Sequence, residues 1–129
     1  KVNEENVPDF IPLNTDYVID AIDDIKGKIA IIKFCVENNI KIISSMGTGN
    51  RTMFKDYIIT DISKTHGCPL ARKLRKKLKE NNIYSGVSVM FSPVTPDIVV
   101  KDKIIGSISF VPAQGGLKLA EKVISDIIQ

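Results

Sequence analysis

The apolar positions of residues 17–45 predict a strand, a helix and a second strand. Tyr17–Ile19 is an uninterrupted apolar run, which is typical of a parallel strand covered on both faces. A second short apolar run lies at Ile40–Ser45. Between the two runs, apolar side chains recur at helical spacing at Ile25, Ile29, Ile32 and Val36. Because such crossovers are right-handed and join parallel strands, this segment predicts the start of a parallel sheet.

Two more strands and two more helices are predicted beyond this segment. The strands are expected at Asp56–Ile62 and Val87–Ser92. One helix begins at Pro69, whose ring suits a first helical turn, and it carries a leucine stripe. The last helix is expected from Gly115 to Ile128, and the Gly115-Gly116 pair is expected to form its entry turn or, alternatively, to let the helix pack tightly or approach a partner's backbone.

Three other segments are less regular. Residues 4–10 predict at most a short helical turn, since prolines and acidic side chains surround them. Residues 98–100 and 104–110 are compatible with short strands or with an irregular connection. Together the elements predict an α/β fold, a Rossmann-like three-layer fragment in which parallel strands are followed by shorter mixed or antiparallel strands. At 129 residues, a single domain is expected.

Composition excludes several classes of protein. No segment approaches the about 18–20 consecutive apolar residues that a membrane span needs. The two cysteines, Cys35 and Cys68, do not suggest a disulfide scaffold, so a reducing cytoplasm is expected. With a single histidine and no Cys-x-x-Cys pair, a structural zinc site is not expected.

The carboxyl ends of the first two predicted strands carry the candidate chemistry. Asp20 and Asp23 follow the first strand, and the loop 46–51 with Gly47 and Gly49 follows the second. Ligands of open parallel sheets bind beyond these ends, and glycine lets a backbone approach a ligand closely. Asp23 alternatively caps the following helix, and the glycines alternatively form a plain tight loop. The third glycine of a dinucleotide fingerprint is absent, which disfavours a nicotinamide-dependent oxidoreductase.

The net charge of +3 is unevenly distributed. Residues 1–24 contain one lysine and seven acidic side chains, whereas the rest of the chain contains seventeen basic and eight acidic side chains. Six of the basic residues share the helix that begins at Pro69: Arg72, Lys73, Arg75, Lys76, Lys77 and Lys79. Such a cluster is either a solvated face or a contact for nucleic-acid phosphates. Cys68, at the start of this helix, is a conceivable nucleophile, although most such cysteines are passive.

Four stretches of the sequence carry a family resemblance. They are DYVIDAIDDIKGK at 16–28, IISSMGTGNR at 42–51, DISKTHGCPLARKLRKKL at 61–78 and GSISFVPAQGGLKLAEKVI at 106–124. On these stretches the chain resembles the C-terminal half of the ubiquitin-activating-enzyme-like superfamily, the ThiF/MoeB/HesA group of ATP-dependent adenylating enzymes. The second and third stretches most resemble the branch that dehydrates threonylcarbamoyladenosine in tRNA to its cyclic form.

The resemblance implies roles for a few residues. In the family, the aspartate at the position of Asp23 holds the Mg²⁺ that accompanies ATP, while Asp20 lies nearby and positions it. The glycine-rich nucleotide-binding half of the family precedes the stretch at Asp16 and is absent here, so residues 1–129 are expected to be the C-terminal part of an adenylating domain. Neither Cys35 nor Cys68 matches the family's thioester-forming or persulfide-forming cysteine, so that role is not transferred.

The expected function follows from this resemblance. The parent protein is expected to adenylate a carboxylate with ATP and Mg²⁺, in the cyclisation of threonylcarbamoyladenosine on tRNA. The implied partners are a second copy in a homodimer, and either tRNA or a sulfur-carrier or ubiquitin-like protein. The alternative is a catalytically silent module that binds RNA through the basic helix or binds a protein partner.

Overall fold

The computed structural model describes residues 1–94, 96 and 106–129. Four strands, four α-helices and one 3-10 turn make up this part of the chain. In chain order they are α1 (Val7–Phe10), β1 (Tyr17–Asp20), α2 (Ile25–Glu37), β2 (Lys41–Ser45), β3 (Ile58–Asp61), the 3-10 turn Ile62–Lys64, α3 (Pro69–Glu80), β4 (Ser88–Phe91) and α4 (Phe110–Ile128).

The four strands form one mixed sheet in the order β1-β2-β4-β3. β1 runs parallel to β2, with Tyr17 opposite Lys41, and β2 runs parallel to β4, with Ser44 opposite Val89. β3 pairs antiparallel with β4. The expected α/β fold, with parallel strands and a shorter antiparallel strand, is confirmed.

Helices cover both faces of this sheet. The larger core lies between the sheet and α2 and α3, where Ile32, Leu74 and Val89 are fully buried. The smaller core lies under α4, where Leu119 packs with Met90 of the sheet. Successive strand residues point to opposite faces of the sheet and therefore contribute to both cores. The sheet and the helices on its two faces form the three layers.

Two sequence predictions are wrong in detail. β1 was expected to be covered on both faces, but its Ile19 side chain is 44% exposed. α4 was expected to begin at Gly115, but it begins at Phe110. A side chain at Gly115 would place its Cβ 3.2 Å from Met90 Cε, so this glycine lets α4 approach the sheet from within the helix.

Other predictions agree or lie outside the described residues. The helical turn near the start is α1, and the Asp56–Ile62 and Val87–Ser92 strands are slightly shorter than expected. Residues 97–105 lie outside the described part of the chain, and with them the possible strand at 98–100. The other possible strand, at 104–110, overlaps α4 only at Phe110, which is helical. Among the described helices, none is long and apolar enough to cross a lipid bilayer.

Candidate active site at the carboxyl edge of the sheet

The carboxyl ends of β1, β2 and β4 lie along the same edge of the sheet, because these strands are parallel. Asp23 lies in the loop after β1, and its side chain is exposed. Within the described residues, no hydrogen bond or ion pair engages its carboxylate. Asp24, rather than Asp23, caps α2, because its Oδ2 accepts a hydrogen bond from Gly27 N at 2.9 Å. The capping role considered for Asp23 is therefore wrong, and its carboxylate is available to a ligand.

Asp20, three residues earlier, is in a very different environment. Its residue surface is 1% exposed, and Oδ2 lies 3.0 Å from Lys28 Nζ, which is itself buried. Ser44 Oγ also donates a hydrogen bond to Asp20 Oδ2. Asp20 Oδ1 accepts a hydrogen bond from Ile22 N at 3.1 Å. Asp20 is thus near the carboxyl edge but is fully occupied by protein groups, as a positioning residue would be.

Lys28 is the residue at this edge that the sequence interpretation missed. Its Nζ donates to Ser45 O at 2.8 Å and lies 3.4 Å from Ser44 Oγ, in addition to the Asp20 contact. A signal was present in the sequence, because Lys28 shares the apolar face of α2 with Ile25, Ile29 and Ile32. A lysine at such a position is buried only when a carboxylate neutralises it.

The Asp20 charge also affects a neighbouring thiol. Cys35 is completely buried in α2. Burial raises the pKa of its thiol to about 11, and the nearby negative charge of Asp20 adds to the rise. Cys35 is therefore a packed, protonated thiol and not a nucleophile.

The loop after β2 is held in place from several sides. Tyr57 Oη donates a hydrogen bond to Gly47 O at 3.2 Å, and Asn50 exchanges hydrogen bonds with the Gly106 backbone. Arg51 is buried, donates to Val94 O at 2.7 Å and lies over the Tyr57 ring at 5.3 Å. The loop is consequently a fixed feature of the edge.

The two glycines of this loop differ in the evidence for their role. Among the described residues, no atom beyond those of the adjoining chain lies within 4 Å of the position that a Cβ of Gly47 would take, so this part of the structure leaves the space beside the backbone open. Gly49 is half-buried in the same loop. The positive φ in this loop belongs to Asn50, at 56°. Close ligand approach at Gly47 therefore depends on open space and not on a left-handed glycine.

The basic helix α3 presents most of its charges to solvent. Arg72, Lys73, Lys76, Lys77 and Lys79 are exposed. Arg75 differs, because it is half-buried and its Nη1 donates to Thr65 O at 2.8 Å. Lys77 pairs with Glu80 at 2.9 Å. The structure thus brings five of the six predicted cations to an open surface and uses the sixth to hold the preceding turn.

Cys68 occupies the N-cap of α3. Its Sγ accepts a hydrogen bond from Ala71 N at 3.5 Å, a long contact to a weak acceptor. The neighbouring His66 is exposed, and its ring meets Phe91 edge-on at 5.8 Å. These contacts describe a helix cap beside a surface loop and give Cys68 no base within the described hydrogen bonds.

The described residues contain no cluster of three or more acidic, histidine or cysteine side chains that could bind a metal alone. A single exposed carboxylate nevertheless fits Mg²⁺, which usually takes one or two protein carboxylates and completes its shell with phosphate oxygens and water. Asp23 is such a carboxylate, and the donor type and its exposure suit a metal delivered with a nucleotide triphosphate.

A sheet with three parallel strands between two helix layers, with an acidic loop at its carboxyl edge, defines an open α/β protein of the kind that binds ligands at this edge. The sequence matches the ThiF family over residues 1–128, and the chain belongs to this family. Within the family it is similar to the tRNA threonylcarbamoyladenosine dehydratase of Bacillus subtilis (strain 168), with 37% identity over 142 aligned residues, covering 98% of this chain and 56% of the relative. The expected family and branch are confirmed.

Two solved structures of the Escherichia coli tRNA N6-threonylcarbamoyladenosine dehydratase are also similar. The complex with AMP has a TM-score of 0.81 and 28% identity, over 99% of this chain and 56% of that chain. The complex with ATP has a TM-score of 0.71 and 31% identity, over 85% of this chain and 46% of that chain. The chain therefore spans about half the length of the relatives that it matches.

Proposed function

We propose that these residues form the C-terminal part of an ATP-dependent adenylating domain that acts in tRNA modification, in the cyclisation of threonylcarbamoyladenosine. The observation that carries the proposal is the exposed, unpaired carboxylate of Asp23 at the carboxyl edge of parallel strands. The similarity to a dehydratase solved in complex with ATP supports it. A crevice at this edge is the usual ligand position in open α/β sheets.

The proposed chemistry needs few groups from this chain. A carboxylate oxygen of the threonylcarbamoyl group attacks the α-phosphorus of ATP, pyrophosphate leaves, and an acyl adenylate forms. An internal nitrogen or oxygen of the same group then attacks the activated carbonyl, AMP leaves and the ring closes. In this proposal Asp23 would hold Mg²⁺, and the ion, when bound, would supply charge compensation on the phosphates. The open backbone at Gly47 gives the nucleotide room to approach the loop.

Pyrophosphate exchange tests this proposal directly. The protein, with the N-terminal half of the domain present, should incorporate labelled pyrophosphate into ATP when the tRNA substrate is supplied. Asp23→Ala should abolish the exchange. Asp16→Ala is the matched control, because Asp16 is an exposed aspartate immediately before the amino end of the same strand. Exchange that is unchanged in Asp23→Ala would remove Asp23 from the mechanism.

The exposed cations of α3 are the proposed tRNA contact. Five of them are exposed on one helix surface, where they repel one another. Phosphate groups of a bound nucleic acid would neutralise this repulsion. Each phosphate neutralised on duplex nucleic acid steepens the dependence of log K on log salt by about 0.9. The double variant Lys76→Glu/Lys77→Glu should weaken tRNA binding and flatten this slope by about two. Lys41→Glu, an exposed lysine on β2, is the control that should leave both unchanged.

The alternative function is a catalytically silent module that binds RNA through α3 or binds a protein partner such as a sulfur-carrier protein. The exposed basic surface supports it independently of the acidic edge. Calorimetry with ATP and Mg²⁺ separates the two functions. Saturable ATP binding that Asp23→Ala weakens supports the adenylating function, whereas salt-dependent RNA binding without any ATP binding supports the silent module. We also propose a homodimer as the assembly, to be tested by sedimentation equilibrium.

A further inference from the structure

Lys28 makes an unusual connection between two strands. Its side chain is 1% exposed, and Nζ contacts the Asp20 carboxylate at 3.0 Å and Ser45 O at 2.8 Å. Asp20 ends β1, and Ser45 ends β2. The single ammonium group therefore joins the carboxyl ends of two neighbouring strands at the points where their loops begin.

The same network determines the path of the loop that carries Asp23. Asp20 Oδ1 holds Ile22 N at 3.1 Å, on one side of Asp23. On the other side, Lys28 N donates to Asp24 O at 2.9 Å, and Asp24 caps α2. The Ile22 side chain also lies close to Gly27, where a Cβ would come within 2.7 Å of Ile22 Cδ1. The loop of Asp23 is thus held on both flanks. The Lys28 side chain contributes to the first flank, through Asp20, whereas the bond on the second flank is an ordinary helix bond of the Lys28 backbone.

Stability alone does not account for this arrangement. Removing a lysine and a carboxylate from water is costly, and an apolar pair of similar volume in such a place is often equally stable or more stable. The buried pair gives directed hydrogen bonds that an apolar pair lacks, and these bonds lead to the loop of Asp23. Asp20 and Lys28 do not contact the Asp23 carboxylate, so they act on it through the backbone. The loss of groups that orient a metal-binding side chain typically costs about 10- to 100-fold in metal affinity or activity.

We propose that Lys28 is a positioning residue, which acts through Asp20 and Ser45 to hold Asp23 in the geometry that receives the metal of a bound nucleotide triphosphate. This inference rests on the proposed function, and it adds a residue to that site. Lys28 touches no substrate in this proposal. Its effect reaches the metal only through the backbone of residues 20–24.

A local measurement tests the first step without any activity. Lys28→Met keeps the apolar stem and removes the charge and the hydrogen bonds. Hydrogen exchange of the Ile22 amide should become at least about 10-fold faster, since a buried carboxylate without its cation no longer holds the loop. Lys33→Met is the control, because Lys33 is on the same helix and pairs with exposed Glu4 at 3.3 Å. An Ile22 exchange rate equal to that of the control would overturn the proposal.

The second step is tested by the Mg²⁺ dependence of pyrophosphate exchange. The Mg²⁺ concentration for half-maximal exchange should rise about 10- to 100-fold in Lys28→Met and stay unchanged in Lys33→Met. The double variant Asp20→Leu/Lys28→Met, in which an apolar pair preserves folding, should show the same rise. A lower maximal rate with unchanged Mg²⁺ dependence in the double variant would mean that Lys28 is only structural, and it would overturn the proposal.

The two proposals fail in distinguishable ways. If the unmodified protein exchanges no pyrophosphate, the adenylating function fails, while the Ile22 amide still reports whether Lys28 holds the loop. If the unmodified protein exchanges pyrophosphate and the double variant does so with the same Mg²⁺ dependence, the function stands and the role of Lys28 is excluded.

Discussion

Replacing Cys68 by aspartate should stabilise the protein. Cys68 is the N-cap of α3, and its sulfur accepts only a long 3.5 Å hydrogen bond from Ala71 N. Aspartate is among the best N-caps, because its oxygen accepts a strong hydrogen bond from the same free amides. Its negative charge also interacts favourably with the helix N-terminus. The first turn of α3 contains no acidic side chain, so neither effect is already present.

The size of the effect can be worked out from these contacts. A good cap in place of a poor one contributes about 0.5–1 kcal/mol, and the charge at the helix end adds about 0.3–1 kcal/mol at low salt. Cys68 is half-buried and packs against the larger core, so losing that contact subtracts a few tenths of a kcal/mol (about 0.3). The expected net gain is about 1 kcal/mol. With about 2.1 cal/mol/K of unfolding entropy per residue over 129 residues, the melting temperature should rise by about 4 °C.

Thermal melts of four proteins measure this gain. Cys68→Asp should melt highest, Cys68→Ser next, and Cys68→Ala at or slightly below the unmodified protein. The difference between Cys68→Asp and Cys68→Ser should shrink at high salt, because only the aspartate carries a charge. A Cys68→Asp variant that melts below the unmodified protein, or an advantage that salt does not reduce, would refute the capping argument.

Three further predictions concern buried or perturbed groups. Lys28→Met should lower the free energy of unfolding by about 3–5 kcal/mol in urea titrations, because it leaves the Asp20 carboxylate buried and unpaired. The double variant Asp20→Leu/Lys28→Met should recover most of this loss. Equal losses of stability in the two variants would contradict the prediction. Because burial raises the Cys35 pKa to about 11, a thiol reagent at pH 8 should modify only Cys68 in the native protein and both thiols in denaturant. Rapid modification of both thiols in the native protein would contradict this prediction. Burial and the hydrogen bond to Asp126 raise the Tyr17 pKa from 10.0 to about 12. The stability that this group contributes is therefore complete below pH 10 and is lost as the pH rises towards 12. In thermal melts over this pH range, Tyr17→Phe should lose less stability than the unmodified protein, and identical pH profiles of the two proteins would exclude the effect.

The order and type of the elements could be predicted because most of them have a clear hydrophobic period. β2 has an apolar run, and α3 has leucines at four-residue spacing. The environment of β1 could not be predicted in this way. Its residues are apolar, but a run of apolar residues does not specify how fully other elements cover each face of the strand, and Ile19 is 44% exposed.

The start of α4 was misplaced for a different physical reason. A pair of glycines usually interrupts a helix, because glycine loses more backbone entropy than other residues. In the folded protein, Gly115 is buried against Met90, and this close contact with the sheet depends on the absence of a side chain at position 115. Tertiary packing therefore outweighs the local preference, and the helix extends through the glycines to Phe110.

The acidic residues of the candidate site were predictable, but the buried lysine that pairs with Asp20 was not. Two aspartates beyond a predicted parallel strand indicate a carboxyl-edge site, since this position follows from the chain direction. The partner of Asp20 is a lysine, and a lysine in a helix is normally solvated. Its burial depends on Ser44 and Ser45 of another strand, and no local pattern in the sequence brings these residues together.

The buried pair also explains how two aspartates so close in sequence can serve different purposes. If both carboxylates were free, their mutual repulsion and shared attraction for cations would leave the ligand geometry at this edge undefined. Lys28 neutralises Asp20 inside the protein, so Asp23 presents the uncompensated charge of the pair to solvent. In the proposed site, the negative charge that is available to a metal ion is then concentrated on the Asp23 carboxylate, next to the Ile22 amide that Asp20 holds. For the proposed site, a substitution that frees Asp20 should therefore weaken Mg²⁺ binding and disturb the loop together, whereas a substitution of Asp23 should weaken Mg²⁺ binding and leave the loop intact.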